Sequence, residues 1–83
     1  MLKKSYKSQL VKFQGKFMIT DTKIVFEVNE IGARIFDLCN GKNSVEDIAK
    51  KLSNKYKIEY DEALRDINDY LSELEELQLI VKE

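Results

Sequence analysis

Paired carboxylates are the side chains of this 83-residue chain whose spacing most resembles that of a chemical site. Asp66 and Asp69, and likewise Glu73 and Glu76, are three residues apart, so each pair shares one face of a predicted helix. The chain has no histidine, and therefore lacks the usual general base and the commonest metal ligand. We interpret the four carboxylates as solvated surface acids.

No other catalytic or metal-binding pattern is present in the sequence. It contains no CxxC, no HExxH, no glycine-rich phosphate loop and no calcium loop with alternating oxygen ligands. The single cysteine, Cys39, lies on the apolar side of a predicted helix, where a small buried hydrophobe is expected rather than a reactive thiol. A lone cysteine also fits a reducing cytoplasm. We therefore predict a cytoplasmic non-enzyme without metal or cofactor.

Three short strands are predicted in the first third of the chain. They cover Leu10–Gln14, Phe17–Ile19 and Ile24–Val28, with turn residues between them. In the third strand, alternation places Phe26 and its i±2 neighbours on one face, and Val25 and Glu27 on the other. The short connections predict a three-stranded antiparallel sheet.

Capping signals predict that two helices follow the third strand. Asn29 is a good N-cap for the first, and Gly41 stands where a left-handed C-cap is expected. Ser44 and Asp47 have the spacing of a capping box for the second. Gly32 lies inside the first helix, where glycine costs about 0.8–1 kcal/mol relative to alanine, and we attribute it to close packing against a neighbouring element.

A third, longer helix is predicted from an N-cap at Asp61 to about Gln78, with an apolar face more than 100° wide. The apolar tail Leu79–Val81 is expected to fold back on the core. The whole pattern predicts an α+β fold that resembles a winged helix-turn-helix, with three antiparallel strands followed by three helices. The length predicts one domain over residues 1–83, with a core at about 10–81.

Charge is divided unevenly along the chain, and this bears on a DNA-binding alternative. Residues 1–28 carry a net charge of +4, whereas residues 61–83 carry −6. A winged-helix DNA-binding regulator needs a basic recognition helix, but the third helix has seven acids and one arginine. The alternative therefore remains less favoured than peptide binding. No apolar run approaches the ~18 residues of a membrane span.

Peptide recognition remains as the favoured function. If the third strand is an edge strand, its unpaired backbone groups can accept a peptide as a further strand. Leu64, Ile67 and Leu71 on the third helix would then line side-chain pockets beside it, although each of them could equally belong to the core.

Several stretches resemble the PqqD-like family, the small recognition elements of ribosomally synthesised and modified peptides (RiPP recognition elements). The resemblance is carried by Asn-Glu-Ile-Gly-Ala at 29–33, Gly41, Ser44-Val-Glu-Asp-Ile and Asp66-Ile-Asn-Asp-Tyr-Leu, over nearly the whole chain. One departure is Leu77-Gln78, where the family often has a small residue and glycine.

The resemblance implies that the chain binds the leader segment of a precursor peptide and presents it to a modifying enzyme. Such an enzyme would be a radical SAM maturase, a cyclase or a leader peptidase; a docking scaffold without a peptide ligand is a further alternative. The implied peptide site is Lys23, Ile24, Val25, Phe26 and Glu27 on the third strand, with Leu64, Ile67, Asn68 and Leu71 on the third helix.

Two features of this implied site are left open by the sequence. Tyr70 could face either the groove or the core. With Lys23 on one wall and an acidic helix on the other, the groove is expected to prefer a leader with apolar anchors and mixed charge.

Overall fold

The computed structural model describes residues 1–82 and has the predicted α+β architecture, in a winged-helix-like order. Its elements in this range are β1 (Leu2–Lys4), β2 (Gln9–Phe13), β3 (Lys16–Thr20), β4 (Val25–Val28), α1 (Glu30–Leu38), α2 (Val45–Tyr56), α3 (Tyr60–Glu76) and β5 (Ile80–Lys82).

The three predicted strands form an antiparallel sheet in the order β2–β3–β4, which confirms the prediction. Gln14 and Gly15 connect β2 to β3, and both have positive φ (52° and 80°), as a tight two-residue hairpin turn requires. The carboxylate of Asp21 accepts the N–H groups of Lys23 and Ile24 at 2.7 and 2.9 Å and so closes the second turn. These two hydrogen bonds hold the pKa of Asp21 below its usual value.

A second, two-stranded sheet pairs β1 with β5 and was not predicted. Leu2 of β1 is only 2% exposed, so a buried side chain lies outside the predicted core of residues 10–81. The Leu2 carbonyl accepts the Gly41 N–H at 2.8 Å. The apolar tail Leu79–Val81 does fold back on the core, with Leu79 and Ile80 buried.

The first two helix starts are capped as predicted. The Asn29 side chain accepts the Gly32 N–H at 2.8 Å at the start of α1. At the start of α2, Ser44 and Asp47 exchange both hydrogen bonds of a capping box, at 3.0 and 3.1 Å. Because the Ser44 N–H group donates to the Asp47 carboxylate and so stabilises its charged form, the pKa of Asp47 is lowered.

Two predicted helix boundaries were wrong. Asp61 does not cap α3: the N-cap is Glu59, which makes no side-chain capping bond, and Asp61 lies in the first turn. Gly41 is left-handed (φ 84°), but α1 ends earlier, with its C-cap at Cys39. The helix stops before Gly41, whose N–H group bonds β1 instead.

The core lies between the three-stranded sheet and the helices. Its largest fully buried side chains come from β3, from all three helices and from the chain end: Ile19, Phe36, Ile48, Leu71, Leu74, Leu79 and Ile80. Cys39 is also fully buried, as predicted, and burial raises the pKa of its thiol to about 11. At neutral pH the thiol is therefore protonated and shielded from solvent.

Candidate functional site

An apolar groove of about 400 Å³ lies between β4, α1 and α3. β4 supplies one wall and α3 the opposite wall, whereas α1, α2 and the turn before α3 contribute the remaining surface. The lining residues are Phe26, Glu27, Val28, Asn29, Ile31, Gly32, Ile35, Leu52, Ile58, Ala63, Asp66, Ile67 and Tyr70. Most of these side chains are apolar, and six of them are branched aliphatic, which suits the groove to apolar side chains of a ligand.

The outer edge of β4 is open along this groove. In the described part of the chain, β3 is its only neighbour in the sheet. At the turn, the Asp21 N–H donates to the Ile24 carbonyl at 3.2 Å. Bonded and non-bonded pairs alternate in an antiparallel ladder, so Phe26 is the next residue of β4 that bonds β3. The backbone N–H and C=O groups of Val25 and Glu27 therefore point outward.

The side chains of β4 alternate as the sequence predicted. Phe26 and Val28 are half-buried, with their side chains packed against the core, and Val25 is 68% exposed on the other face. Of the five residues predicted for the strand part of the peptide site, Phe26 and Glu27 line the groove. The other three lie outside the lining: Val25 is the first residue of β4, and Lys23 and Ile24 precede the strand.

The helix residues that line the groove differ from most of those predicted. Ile67 lines it, but Leu64, Asn68 and Leu71 do not, and Leu71 is only 1% exposed in the core. The face of α3 that lines the groove consists instead of residues at helical spacing: Ala63, Asp66, Ile67 and Tyr70. The physical reason is that Leu71 is buried in the core and Leu64 packs against it, whereas Asn68 is exposed to solvent outside the groove.

Tyr70 faces the groove, which answers the question that the sequence left open. Its hydroxyl donates to the Gly32 carbonyl at 3.1 Å, from α3 to α1. The side chain is half-buried, and burial raises the pKa of its phenol. The hydroxyl thus remains a neutral donor at neutral pH. Gly32 serves the close packing that its mid-helix position predicted.

The charged residues of the lining are both acidic. Glu27 and Asp66 are exposed, and no lysine or arginine belongs to the lining. Lys23, which was expected on one wall, lies in the turn before β4 and outside the lining. The groove combines an apolar floor with the exposed carboxylate of Asp66, because the Glu27 side chain alternates with Phe26 and lies on the face of Val25.

Residues 1–82 contain neither a cluster of metal-ligating side chains nor a membrane-spanning helix. In this range, no three histidine, cysteine, aspartate or glutamate side chains are grouped to hold a metal ion. Over the same residues, none of the helices is long and apolar enough to cross a bilayer.

A family model described as Coenzyme PQQ synthesis protein D (PqqD) matches residues 17–80, which is most of the chain. The chain belongs to the PqqD family. The match begins in β3 and ends at β5, so it includes both walls of the groove. No curated protein is significantly similar to the chain in sequence.

Two solved structures have the same fold as this PqqD-family chain. One is described as lasso peptide synthetase B1 complexed with the leader peptide, and the other as TbiB1 in complex with the TbiA(beta) leader peptide. Each has a TM-score of 0.83 and 19% sequence identity. The similarity covers 98% of this chain, and 98% and 96% of the two others.

Proposed function

We propose that this chain binds the leader segment of a ribosomally synthesised precursor peptide as an added strand on β4. The observation that carries the proposal is the open edge of β4 beside an apolar groove, in a chain of the PqqD family. The two solved structures of the same fold, both described as leader-peptide complexes, support it.

Affinity would come first from the backbone. The outward N–H and C=O groups of Val25 and Glu27 offer hydrogen bonds to an extended peptide, each with a net value of about 0.5–1.5 kcal/mol. These bonds do not depend on the peptide's side chains. They explain how one protein edge could hold a segment of variable sequence.

Selectivity would come from the groove. Successive side chains of an added strand point to opposite faces, so every second side chain enters the space between β4 and α3. That space is lined by Phe26, Ile67 and other apolar groups. A leader with apolar side chains two residues apart would therefore fill it, while its intervening side chains face the solvent side with Val25.

The proposed role is recognition and delivery to a modifying enzyme, without catalysis by this chain. The single thiol, Cys39, is buried and protonated, so it is unsuited to act as a nucleophile. The acids of α3 lie on an exposed helix face rather than around a reactive group. The chemistry would belong to the enzyme that receives the bound leader.

Hydrogen exchange tests the strand addition directly. The ¹⁵N-labelled protein is titrated with a synthetic leader peptide of a candidate precursor. We expect amide exchange of Val25 and Glu27 to slow by at least about tenfold, because their outward N–H groups gain partners. The Phe26 amide already bonds β3, so its protection should change less.

The other edge of the same sheet provides the control. Phe13 and Lys16 close a two-residue turn and therefore form a hydrogen-bonded pair. Because bonded and non-bonded pairs alternate along the ladder, the N–H groups of Leu10 and Lys12 point outward from β2. Their exchange should stay unchanged. Protection of the β2 amides, with none at Val25 and Glu27, would contradict the proposed site.

A further inference from the structure

Tyr70 and Gly32 form a contact between α3 and α1 within the lining of the groove. The Tyr70 hydroxyl donates to the Gly32 carbonyl at 3.1 Å, and both residues line the groove. A Cβ atom added to Gly32 would lie 2.8 Å from the Tyr70 hydroxyl and 3.1 Å from Cβ of Val28. The phenol therefore lies next to the junction of β4 and α1.

Only glycine allows the ring to reach this position. A Cβ at residue 32 would also come within 3.2 Å of Tyr70 Cζ, so the ring would have to move away from α1. Glycine in a helix interior is unfavourable, and here it permits the phenol of α3 to approach the backbone of α1. A half-buried phenol beside a carbonyl partner has a fixed position.

The position of the ring matters because it borders the space that peptide side chains would enter. A strand on β4 would direct a side chain toward the groove near Val28, and the Tyr70 hydroxyl lies beside Val28. The space near Val28 is thus limited by a residue of α3.

We propose that Tyr70, held in place by Gly32, is the specificity-determining residue of the groove and limits the size of the peptide side chain that enters beside Val28. This inference rests on the proposed peptide binding. The ligand class that follows is an extended peptide with a branched aliphatic side chain at that position. Aromatic side chains are excluded there while the phenol stays bonded to α1.

A displayed library of random-sequence peptides tests the inference whatever the sequence of the leader. The library is selected separately against the wild-type protein, Tyr70→Leu and Tyr70→Phe. We expect the wild type to enrich peptides with valine, leucine or isoleucine at one position, and Tyr70→Leu to enrich phenylalanine or tryptophan there. Tyr70→Phe keeps the ring, so it should retain the aliphatic preference and bind the same peptides about fivefold more weakly.

Two further variants separate specificity from general packing. Gly32→Ala should displace the phenol into the groove and weaken wild-type-selected peptides by about tenfold. Adding Tyr70→Phe to Gly32→Ala removes the oxygen nearest the new Cβ and should restore part of that affinity. This non-additivity is measurable even if Tyr70→Leu fails to fold.

Tyr56→Phe is the matched control. Tyr56 is another half-buried helix tyrosine, its hydroxyl accepts a hydrogen bond from Arg34 Nε at 3.3 Å, and it lies outside the groove lining. Removal of the Tyr56 hydroxyl should change neither the side chains enriched in the selected peptides nor the affinities of those peptides.

The outcomes distinguish this inference from the proposed function. If the wild type enriches peptides that compete with one another, but folded Tyr70→Leu enriches the same side chains as the wild type, the inference is wrong and peptide binding stands. Additive effects of Gly32→Ala and Tyr70→Phe would also overturn the inference. If the wild type enriches no peptide and fails to bind the synthetic leader, both are overturned.

Discussion

The three-stranded sheet has two outer edges, and only one of them resembles a binding site. β2 and β4 are both paired with β3 alone in the described chain, and each directs backbone groups outward. The β2 edge carries the side chains of Lys12 and Phe13, which are both exposed to solvent. Beside β4 lies the apolar groove formed with α1 and α3.

This difference shows what a free strand edge lacks by itself. Unpaired backbone groups accept any extended chain, and exposed lysines such as Lys12 are one of the ways in which proteins discourage such pairing. At β4, the adjoining groove supplies contacts that depend on the ligand's side chains. Selective recognition requires both features on the same edge.

The largest effect is expected from proline substitutions on the two edges. Val25→Pro removes an outward N–H from β4 without removing a bond to β3, and its ring obstructs an added strand. We expect leader affinity, measured by calorimetric titration, to fall more than about tenfold, because a hydrogen bond of about 1 kcal/mol is lost as well.

Lys12→Pro is the corresponding change on β2, where the N–H group also points outward. Leader affinity should stay within about twofold of the wild type, since no ligand is expected on this edge. Equal losses in both folded variants would mean that the two edges do not differ as proposed. A loss confined to Lys12→Pro would move the site to β2.

An intermediate effect is expected when an aromatic side chain is removed from each edge. Phe26→Ala truncates a groove wall that also packs on the core, so leader affinity should fall about fivefold and the free energy of unfolding by about 1–3 kcal/mol. Phe13 is 62% exposed, so Phe13→Ala should change the free energy of unfolding by less than about 0.5 kcal/mol.

Titration with the leader and urea unfolding measure both quantities on the same samples. If Phe26→Ala lowers stability but leaves leader affinity intact, the groove side of β4 does not contact the ligand. If Phe13→Ala weakens binding more than Phe26→Ala, the β2 edge is the one in use.

Most of the fold could be predicted because its signals are local. The Asn29 cap and the Ser44–Asp47 capping box are read within four residues and are present as predicted. β1 was missed because its pairing partner, β5, is nearly the whole chain away, and a three-residue strand with two lysines has no alternating pattern. Only the tertiary fold identifies Leu2 as buried.

The strand half of the site was more predictable than the helix half. The alternation of side chains along a strand is enough to place Phe26 and Val25 on opposite faces of β4. On α3, Leu64 and Leu71 belong to the same broad apolar face as Ile67, and tertiary packing decides which part of that face the core covers. Sequence spacing cannot show that packing.

The smallest effect concerns the charge difference between the two edges. The groove beside β4 has Asp66 at its rim, whereas β2 carries Lys12. Both side chains are exposed, so each should change the binding free energy by about 0.2–1 kcal/mol at most. A leader analogue with one added lysine should therefore bind about twofold more tightly than the parent peptide at low salt.

The salt dependence of this analogue reports which edge it occupies. Beside Asp66 the added lysine is attracted, so salt should weaken its binding and Asp66→Asn should remove most of that sensitivity. Asp61→Asn, in the first turn of the same helix but outside the groove lining, should leave the sensitivity unchanged. Beside Lys12 the sign reverses, because like charges repel and salt relieves the repulsion. Binding that strengthens with salt would therefore place the peptide at β2 and contradict the proposed assignment to β4.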